Sequence, residues 1–156
     1  MTLTFKTIIA AVDVDDDLAQ LVLMTAHDLA TANSADLHVL DANPLLVSFD
    51  TPYAGGAIAA DVESHRINAE RRAERLGDLV DKYAAGATKM TMDGDASRGA
   101  TTYAREVDAD LIVIGSHQKG WWSRLIEGSE SEDFLRESPC AIFVVTKSWK
   151  EKLENL

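Results

Sequence analysis

The chain has 156 residues, of which 46% are hydrophobic and 26% are charged, a size and composition typical of one globular domain with a sizeable core. The formal net charge of −11 argues against nucleic-acid binding and against adsorption to an anionic membrane surface, because both need an excess of Lys and Arg. The lone Cys140 cannot form an internal disulfide, no secretory signal is recognisable, and no apolar run reaches the length of a membrane span. We therefore expect a cytoplasmic protein that neither binds nucleic acid nor inserts into a membrane.

Two strands and two helices are predicted in the first half of the chain. The apolar run Thr7–Val14 lacks alternation, as expected of a strand covered on both faces, and Asp17–Thr31 carries the apolar stripe of a helix. Asp36–Leu40 predicts the second strand, and Asn43–Gly56, with its prolines and a closing glycine pair, predicts a mobile connection. A long helix follows over about Ile58–Ala85. Its apolar residues recur at spacings near three, four and seven: Ile58, Val62, Ala69, Ala73, Leu76, Val80 and Tyr83.

The second half of the chain predicts three more strands and two more helices. These elements are, in order, Thr88–Met92, a short helix over Gly99–Val107, Leu111–Ile114, a further helix, and Ala141–Val145. The first of them alternates between polar residues and methionine, which indicates an edge strand. The further helix starts near Ser129 and ends before Pro139, because proline lacks a backbone donor and disfavours helix at the residue before it.

Strands that alternate with helices predict the α/β class. We expect an open five-stranded parallel sheet with helices on both faces. No internal repeat or domain boundary is visible, so residues 1–147 are predicted to form one domain. In the tail, residues 148–156, the side chains of Trp149, Leu153 and Leu156 follow at spacings of four and three, which predicts a short amphipathic turn.

The strongest indication of a ligand lies between Leu111 and Ser129. An apolar strand stops there at Gly115, and a polar loop leads to Gly128 just ahead of a helix start. The end of a parallel strand and the N-terminus of a helix both present free backbone N–H groups, which hold phosphate readily. Gly128 would let an anion approach the backbone, and Ser129 and Ser131 would donate their hydroxyls to it.

The same loop admits a purely structural interpretation. Ser129 at the N-cap and Glu132 three residues later have the pattern of a capping box, in which each side chain accepts from the other's backbone N–H. The two interpretations are compatible, since a capped helix still presents its remaining donors. His117 is the histidine placed in this loop; His27, His38 and His65 are interpreted as surface or packing residues.

Asp13 closes the first strand and faces the crevice in which open α/β sheets bind ligands. Its carboxylate could accept hydrogen bonds from a ribose or from an adenine amino group. Two alternatives stay open. Asp13 could cap the following helix, as Asp15, Asp16 or Asp17 could, or these acids could hold Mg²⁺.

Several segments resemble the universal stress protein family. The opening IIAAVDV resembles the family's first strand, which ends in an aspartate, and DLHV from Asp36 resembles its second strand. DLIVIGSH, from Asp110 to His117, closely matches the family's most recognisable segment. The C-terminal end of the family is matched by Gly128-Ser129, by Phe134-Leu135-Arg136 and by the run Pro139–Val145. The resemblance covers nearly the whole chain.

The resemblance implies a Rossmann-like fold of the adenine nucleotide alpha hydrolase type, with strand order 3-2-1-4-5. It implies a regulatory protein of the stress response that binds an adenine nucleotide, ATP or AMP, with or without Mg²⁺. Asp13 and Val39 would contact adenine and ribose, while the phosphates would lie against Gly128. The implied binding residues are Asp13, Val39, Ile114, Gly115, His117, Gln118, Gly128, Ser129 and Ser131. Because the family commonly dimerises through its last strand, the resemblance also implies a homodimer through Ala141–Val145.

The chain departs from the family's nucleotide-binding pattern at two positions. That pattern is glycine, two residues, glycine, nine residues, glycine, then serine or threonine. Gly115, Gly128 and Ser129 keep the register, whereas Gln118 replaces the second glycine. Glu130 adds a carboxylate to the first helical turn, where it repels a phosphate.

These departures leave a second function open, a dimeric interaction module of the same fold that binds no nucleotide. A phosphoacceptor receiver domain also has acids after its first strand and a lysine after its fifth, here Lys147. It needs an aspartate at the end of a middle strand, where this chain has Gly115. No GxSxG elbow or zinc-ligand spacing is present, so we expect no catalysis beyond slow ATP hydrolysis.

Overall fold

A single sheet of five parallel strands organises the part of the chain that the structure describes. The structure is a computed structural model that describes residues 1, 3–43, 55–94, 96–116 and 134–156. The strands are β1 (Thr7–Val12), β2 (Asp36–Asn43), β3 (Thr88–Asp93), β4 (Leu111–Gly115) and β5 (Ala141–Val145), and the helices are α1 (Ala19–Asn33), α2 (Gly55–Tyr83), α3 (Ala96–Glu106) and α4 (Lys147–Glu154). No helix of these residues is both long and apolar enough to cross a membrane.

The strand order is β3-β2-β1-β4-β5, which confirms the predicted order and the predicted parallel sheet. β3 lies at one edge, as its alternating sequence indicated, and β5 lies at the other. β1 is the central strand. Its residues Ile8–Val12 are buried on both faces, which explains why the apolar run shows no alternation.

The core has two layers, one on each face of the sheet. Ile8, Ala10 and Val12 point to the layer formed with α1 and α2, while Ile9 and Ala11 point to the opposite layer. That second layer is covered by alanines of α3 and by Phe134. Residues 134–137 are helical and stop ahead of Pro139 as predicted, whereas the predicted helix start near Ser129 lies outside the described residues.

Several predicted boundaries are wrong by a few residues. β1 ends at Val12 rather than Val14, and β2 continues past Leu40 to Asn43. β2 extends beyond its apolar run and includes Asp41, a polar residue. Asp41 is buried there and forms an ion pair with Arg72 of α2. α2 begins at Gly55, so the glycine pair assigned to the connection belongs to the helix, while residues 44–54 lie outside the described part.

The buried line of α2 differs from the predicted apolar stripe. Leu76 and Val80 are buried as expected, but Val62 is 64% exposed and Ala73 is exposed. The buried residues instead follow at every fourth position: Arg72, Leu76, Val80 and, just after the helix, Ala84. An arginine therefore occupies a position of the helix that packs on the sheet.

The tail forms a helix rather than a single turn. Thr146 caps α4, its Oγ1 accepting the backbone N–H of Trp149 at 3.2 Å. The Trp149 ring lies 6.1 Å from that of Phe143 on β5, centroid to centroid, and packs against the α1/α2 core layer. α4 thus rests on the edge of the sheet.

Candidate functional site

The carboxyl ends of β1 and β4 form the crevice at which ligands of open α/β sheets bind. β1 is followed in the chain by β2, which lies on one side of it, whereas β4 lies on its other side and is followed by β5 further out. The strand order therefore reverses between β1 and β4. Asp13 follows β1 and Gly115 ends β4. Both line one small cavity of about 10 Å³, together with Leu18 and Val22 of the α1 end.

Arg72 of α2 is the centre of a buried network beside this crevice. Its Nε and Nη2 donate to Oδ2 and Oδ1 of Asp41 at 3.0 and 2.6 Å. Nη2 also donates to Asp13 Oδ1 at 3.1 Å, and Nη1 donates to Asp15 Oδ2 at 3.2 Å. The side chain of Arg72 is 5% exposed and that of Asp41 is 0% exposed. A charge this deeply buried needs such partners, because an unpaired one costs several kcal/mol.

Two further arginines of α2 hold the loop after β1. Arg71 donates to both carboxylate oxygens of Asp15 at 2.9 and 2.8 Å, a bidentate geometry. Arg75 Nε donates to the carbonyl oxygen of Val14 at 2.7 Å. The hydrogen bond from Arg71 lowers the pKa of Asp15, so that carboxyl stays ionised at neutral pH.

Asp41 is the titrating member of the buried pair. Burial raises the pKa of Asp41 to about 6, against the opposing hydrogen bond and charge of Arg72. Burial lowers the pKa of Arg72, but the hydrogen bond and charge of Asp41 outweigh it and the pKa is raised. Asp41 Oδ1 also accepts the backbone N–H of Val14 at 3.2 Å. The pair therefore joins α2, β2 and the loop after β1.

The structure brings Asp13 and Gly115 together and buries the other two described candidates. The side chain of Val39 is fully buried in the layer beneath α1 and α2, and that of Ile114 is buried in the opposite layer. Neither side chain reaches the exterior of the crevice, because each fills the core of its own face. The other predicted binding residues lie outside the described residues: His117, Gln118, Gly128, Ser129 and Ser131.

The contacts of Asp13 bear on its two other predicted roles, capping of α1 and binding of Mg²⁺. The N-cap of α1 is Leu18, which makes no side-chain cap, and Asp16 Oδ1 accepts its N–H at 2.7 Å. Asp13 instead accepts from Arg72 and from the backbone N–H of Asp15 at 3.1 Å. Among the described residues no group of three acids, histidines or cysteines is placed to hold a metal ion, and Asp13 and Asp15 are paired with arginines.

Sequence reasoning missed Arg72 and Asp41. Asp41 lies just past the predicted end of strand two, and Arg72 lies among the charged residues of a helix that otherwise has the composition of a solvated face. One signal was present. Arg72 stands four residues before Leu76, and therefore on the same helix face as the buried Leu76 and Val80.

The described histidines outside the loop have structural partners. His38 Nδ1 and the hydroxyl of Tyr103 are 2.8 Å apart, and His65 Nε2 lies 3.2 Å from Asp93 Oδ1. Cys140 is half-buried, and burial raises the pKa of its thiol. None of these groups faces the crevice between β1 and β4.

The comparisons with known proteins agree with one another. The sequence model of a family described as the Universal stress protein family matches residues 4–146. A universal stress protein A homolog of Pasteurella multocida is 28% identical over 127 residues, covering 80% of this chain and 86% of that protein. A protein of Staphylococcus saprophyticus that is also named a universal stress protein is 30% identical over 152 residues, covering 92% of this chain and 84% of that protein.

Solved structures of similar proteins share the fold. The universal stress protein UspA of Lactobacillus plantarum has a TM-score of 0.67 at 20% identity, covering 92% of this chain and 99% of that one. A universal stress protein solved in complex with cAMP has a TM-score of 0.61 at 19% identity, covering 92% and 98%. The Archaeoglobus fulgidus protein solved in complex with dAMP has a TM-score of 0.55 at 20% identity, covering 91% and 98%.

Proposed function

The chain belongs to the universal stress protein family, and from this premise we propose that it binds an adenine nucleotide, ATP or AMP, in the crevice between β1 and β4. We propose further that it acts as a homodimer in the stress response, as a regulatory protein without fast catalysis.

The observation that carries the proposal is the meeting of Asp13 and Gly115 at the point where the strand order reverses. Two structurally similar proteins of the family were solved with adenine nucleotides, cAMP and dAMP. The residues fit the nucleoside part of such a ligand. Asp13 has 12% of its side chain exposed, and among the described residues its Oδ2 accepts no hydrogen bond, so it has acceptor capacity for a ribose hydroxyl or an adenine amino group.

The phosphate part of the ligand is assigned to the loop that the sequence singled out. Backbone N–H groups near Gly128, together with the hydroxyls of Ser129 and Ser131, would hold the phosphates. We assign no role to Mg²⁺, because Asp13 and Asp15 already have arginine partners.

The homodimer is assigned to β5, the apolar edge of the sheet. Phe143 and Val144 on this strand are 38% and 39% exposed, which is high for large apolar residues in a strand. An unpaired apolar edge promotes association, and a second copy of the same strand would cover it.

One observation favours the second candidate, an interaction module that binds no nucleotide. The cavity between Asp13 and Gly115 has a volume of about 10 Å³, and Arg72 already occupies one oxygen of Asp13. In that case the Arg72 network would serve only to hold the fold.

Mass spectrometry of the freshly purified protein, followed by calorimetric titration with ATP and AMP, separates the two functions. We expect bound nucleotide in the purified protein or saturable binding of either titrant. A protein that carries no nucleotide and binds neither titrant at millimolar concentration contradicts nucleotide binding and leaves the interaction module.

A further inference from the structure

We infer that Arg72 is a positioning residue for the nucleotide site: it holds the Asp13 carboxylate in the orientation that accepts hydrogen bonds from the nucleoside part of the ligand. This inference rests on the proposed function. It concerns Arg72 of α2, which is not among the described residues that line the cavity between β1 and β4, and a contact that crosses from that helix to the end of β1.

The two oxygens of Asp13 have different surroundings. Oδ1 accepts from Arg72 Nη2 at 3.1 Å and from the backbone N–H of Asp15 at 3.1 Å. These donors come from α2 and from the loop after β1, and together they restrain the carboxylate. Oδ2 accepts from no described residue, so the same two bonds determine where the available acceptor lies.

Arg72 can fix Asp13 because Arg72 is itself fixed. Asp41 binds its guanidinium through a bidentate pair of hydrogen bonds, and Asp41 is held in turn by the backbone N–H of Val14. A planar guanidinium bound in this way keeps one orientation, unlike a lysine ammonium on a flexible stem. A binding group must be held to within about 0.5 Å to be effective, and buried supporting contacts of this kind provide that precision.

Arg72 does not serve as a ligand contact of its own. Its side chain is 5% exposed and its hydrogen-bond donors point to three aspartates. Its influence on nucleotide affinity therefore passes through Asp13. An experiment can measure this coupling between Arg72 and Asp13.

The test is a double-mutant cycle on nucleotide affinity. Arg72→Met and Asp41→Leu are introduced together, so that neither member of the buried pair is left as an unpaired charge. We expect the affinity for AMP, measured by calorimetry, to fall about tenfold, which corresponds to about 1.4 kcal/mol. In an Asp13→Asn background the same pair of changes is expected to have no further effect. Arg66→Met, which removes an exposed arginine of the same helix, is the matched control and leaves the affinity unchanged.

The affinities are compared only among variants that circular dichroism shows to be folded. Equal losses with and without Asp13, or no loss at all, overturn the inference and leave the proposed function standing. A wild-type protein that binds no adenine nucleotide overturns the proposed function and the inference with it. If the paired variant does not fold, Arg72→Lys replaces it in the same cycle, since it keeps the buried charge and removes only the planar fork.

Discussion

Leu18 Cβ lies 3.2 Å from the position that a Cβ on Gly115 would occupy, and Val22 Cγ2 lies 3.4 Å from it. The glycine that ends β4 therefore has a packing role, since it lets the first turn of α1 approach the strand closely. A ligand role and a packing role for this glycine are compatible, as both depend on the absence of a side chain.

Replacing Gly115 with Ala should destabilise the protein. The neighbour that the new methyl meets is a Cβ, which cannot swing aside, so α1 must shift, at a cost of about 1–3 kcal/mol. Urea unfolding measures the change. Gly77→Ala is the matched control: its nearest atom would be Lys89 Nζ at 4.0 Å, and alanine favours a helix by about 0.5–1 kcal/mol. Equal effects of the two changes would contradict the packing role.

Asp110→Ala should lower stability in a pH-dependent way. Asp110 Oδ2 accepts the backbone N–H groups of Lys6 and Thr7 at 2.6 and 3.0 Å, and these bonds lower the pKa of Asp110. The stabilisation is therefore complete above the unfolded-state pKa of 3.8 and is lost as the pH falls through the lower folded value. We expect a loss of about 1–3 kcal/mol at pH 7, shrinking below about pH 4. A loss that is the same at pH 3 and pH 7 would rule out the carboxylate as its source.

Arg72→Met alone should destabilise the protein more than the paired change with Asp41→Leu. The single change strands a buried carboxylate, at a cost of about 3–5 kcal/mol, whereas the paired change replaces two charges with apolar groups and recovers much of that cost. Chemical denaturation of the three proteins gives the comparison. A paired variant no more stable than the single one would mean that the lost acceptor of Val14 costs as much as the stranded carboxylate of Asp41.

Phe143→Glu should shift the proposed dimer to monomer. A carboxylate on the exposed apolar edge would be buried without a partner in a β5 interface, which costs several kcal/mol. Sedimentation equilibrium measures the mass. Lys89→Glu, on the opposite edge strand β3, is the matched control and should leave the mass unchanged. An unchanged mass for Phe143→Glu contradicts a dimer through β5.

Gln118→Gly should strengthen binding of ATP more than binding of adenosine. The change restores the second glycine of the motif and lets a backbone N–H approach the phosphates, which is worth about two- to tenfold in affinity. Adenosine, which lacks phosphates, is the internal control. If both ligands gain equally, the crowding assigned to Gln118 is wrong.

The strand order and the edge positions of β3 and β5 could be predicted because their signals are local or carried by the family resemblance. Apolar runs mark the strands, and Pro139 marks the end of a helix. The Arg72 network could not be predicted in this way. The spacing of Arg72 from Leu76 indicates its helix face, but Arg72 and Asp41 are 31 residues apart, and nothing in the sequence identifies Asp41 as its partner. The acids near Asp13 were visible, but their partners depend on tertiary packing.

The loop after β1 is held by contacts from α2, a helix that lies much further along the sequence. The N-cap of α1, Leu18, makes no side-chain cap. Besides the hydrogen bonds that Asp13 and Asp16 accept within the loop, the loop is held by arginines of α2 and by Asp41. We therefore expect the loop after β1 to become less ordered when α2 detaches from the sheet. The backbone N–H of Val14, bonded to Asp41, should exchange with solvent through openings in which α2 detaches, and should report local unfolding at the proposed nucleotide site.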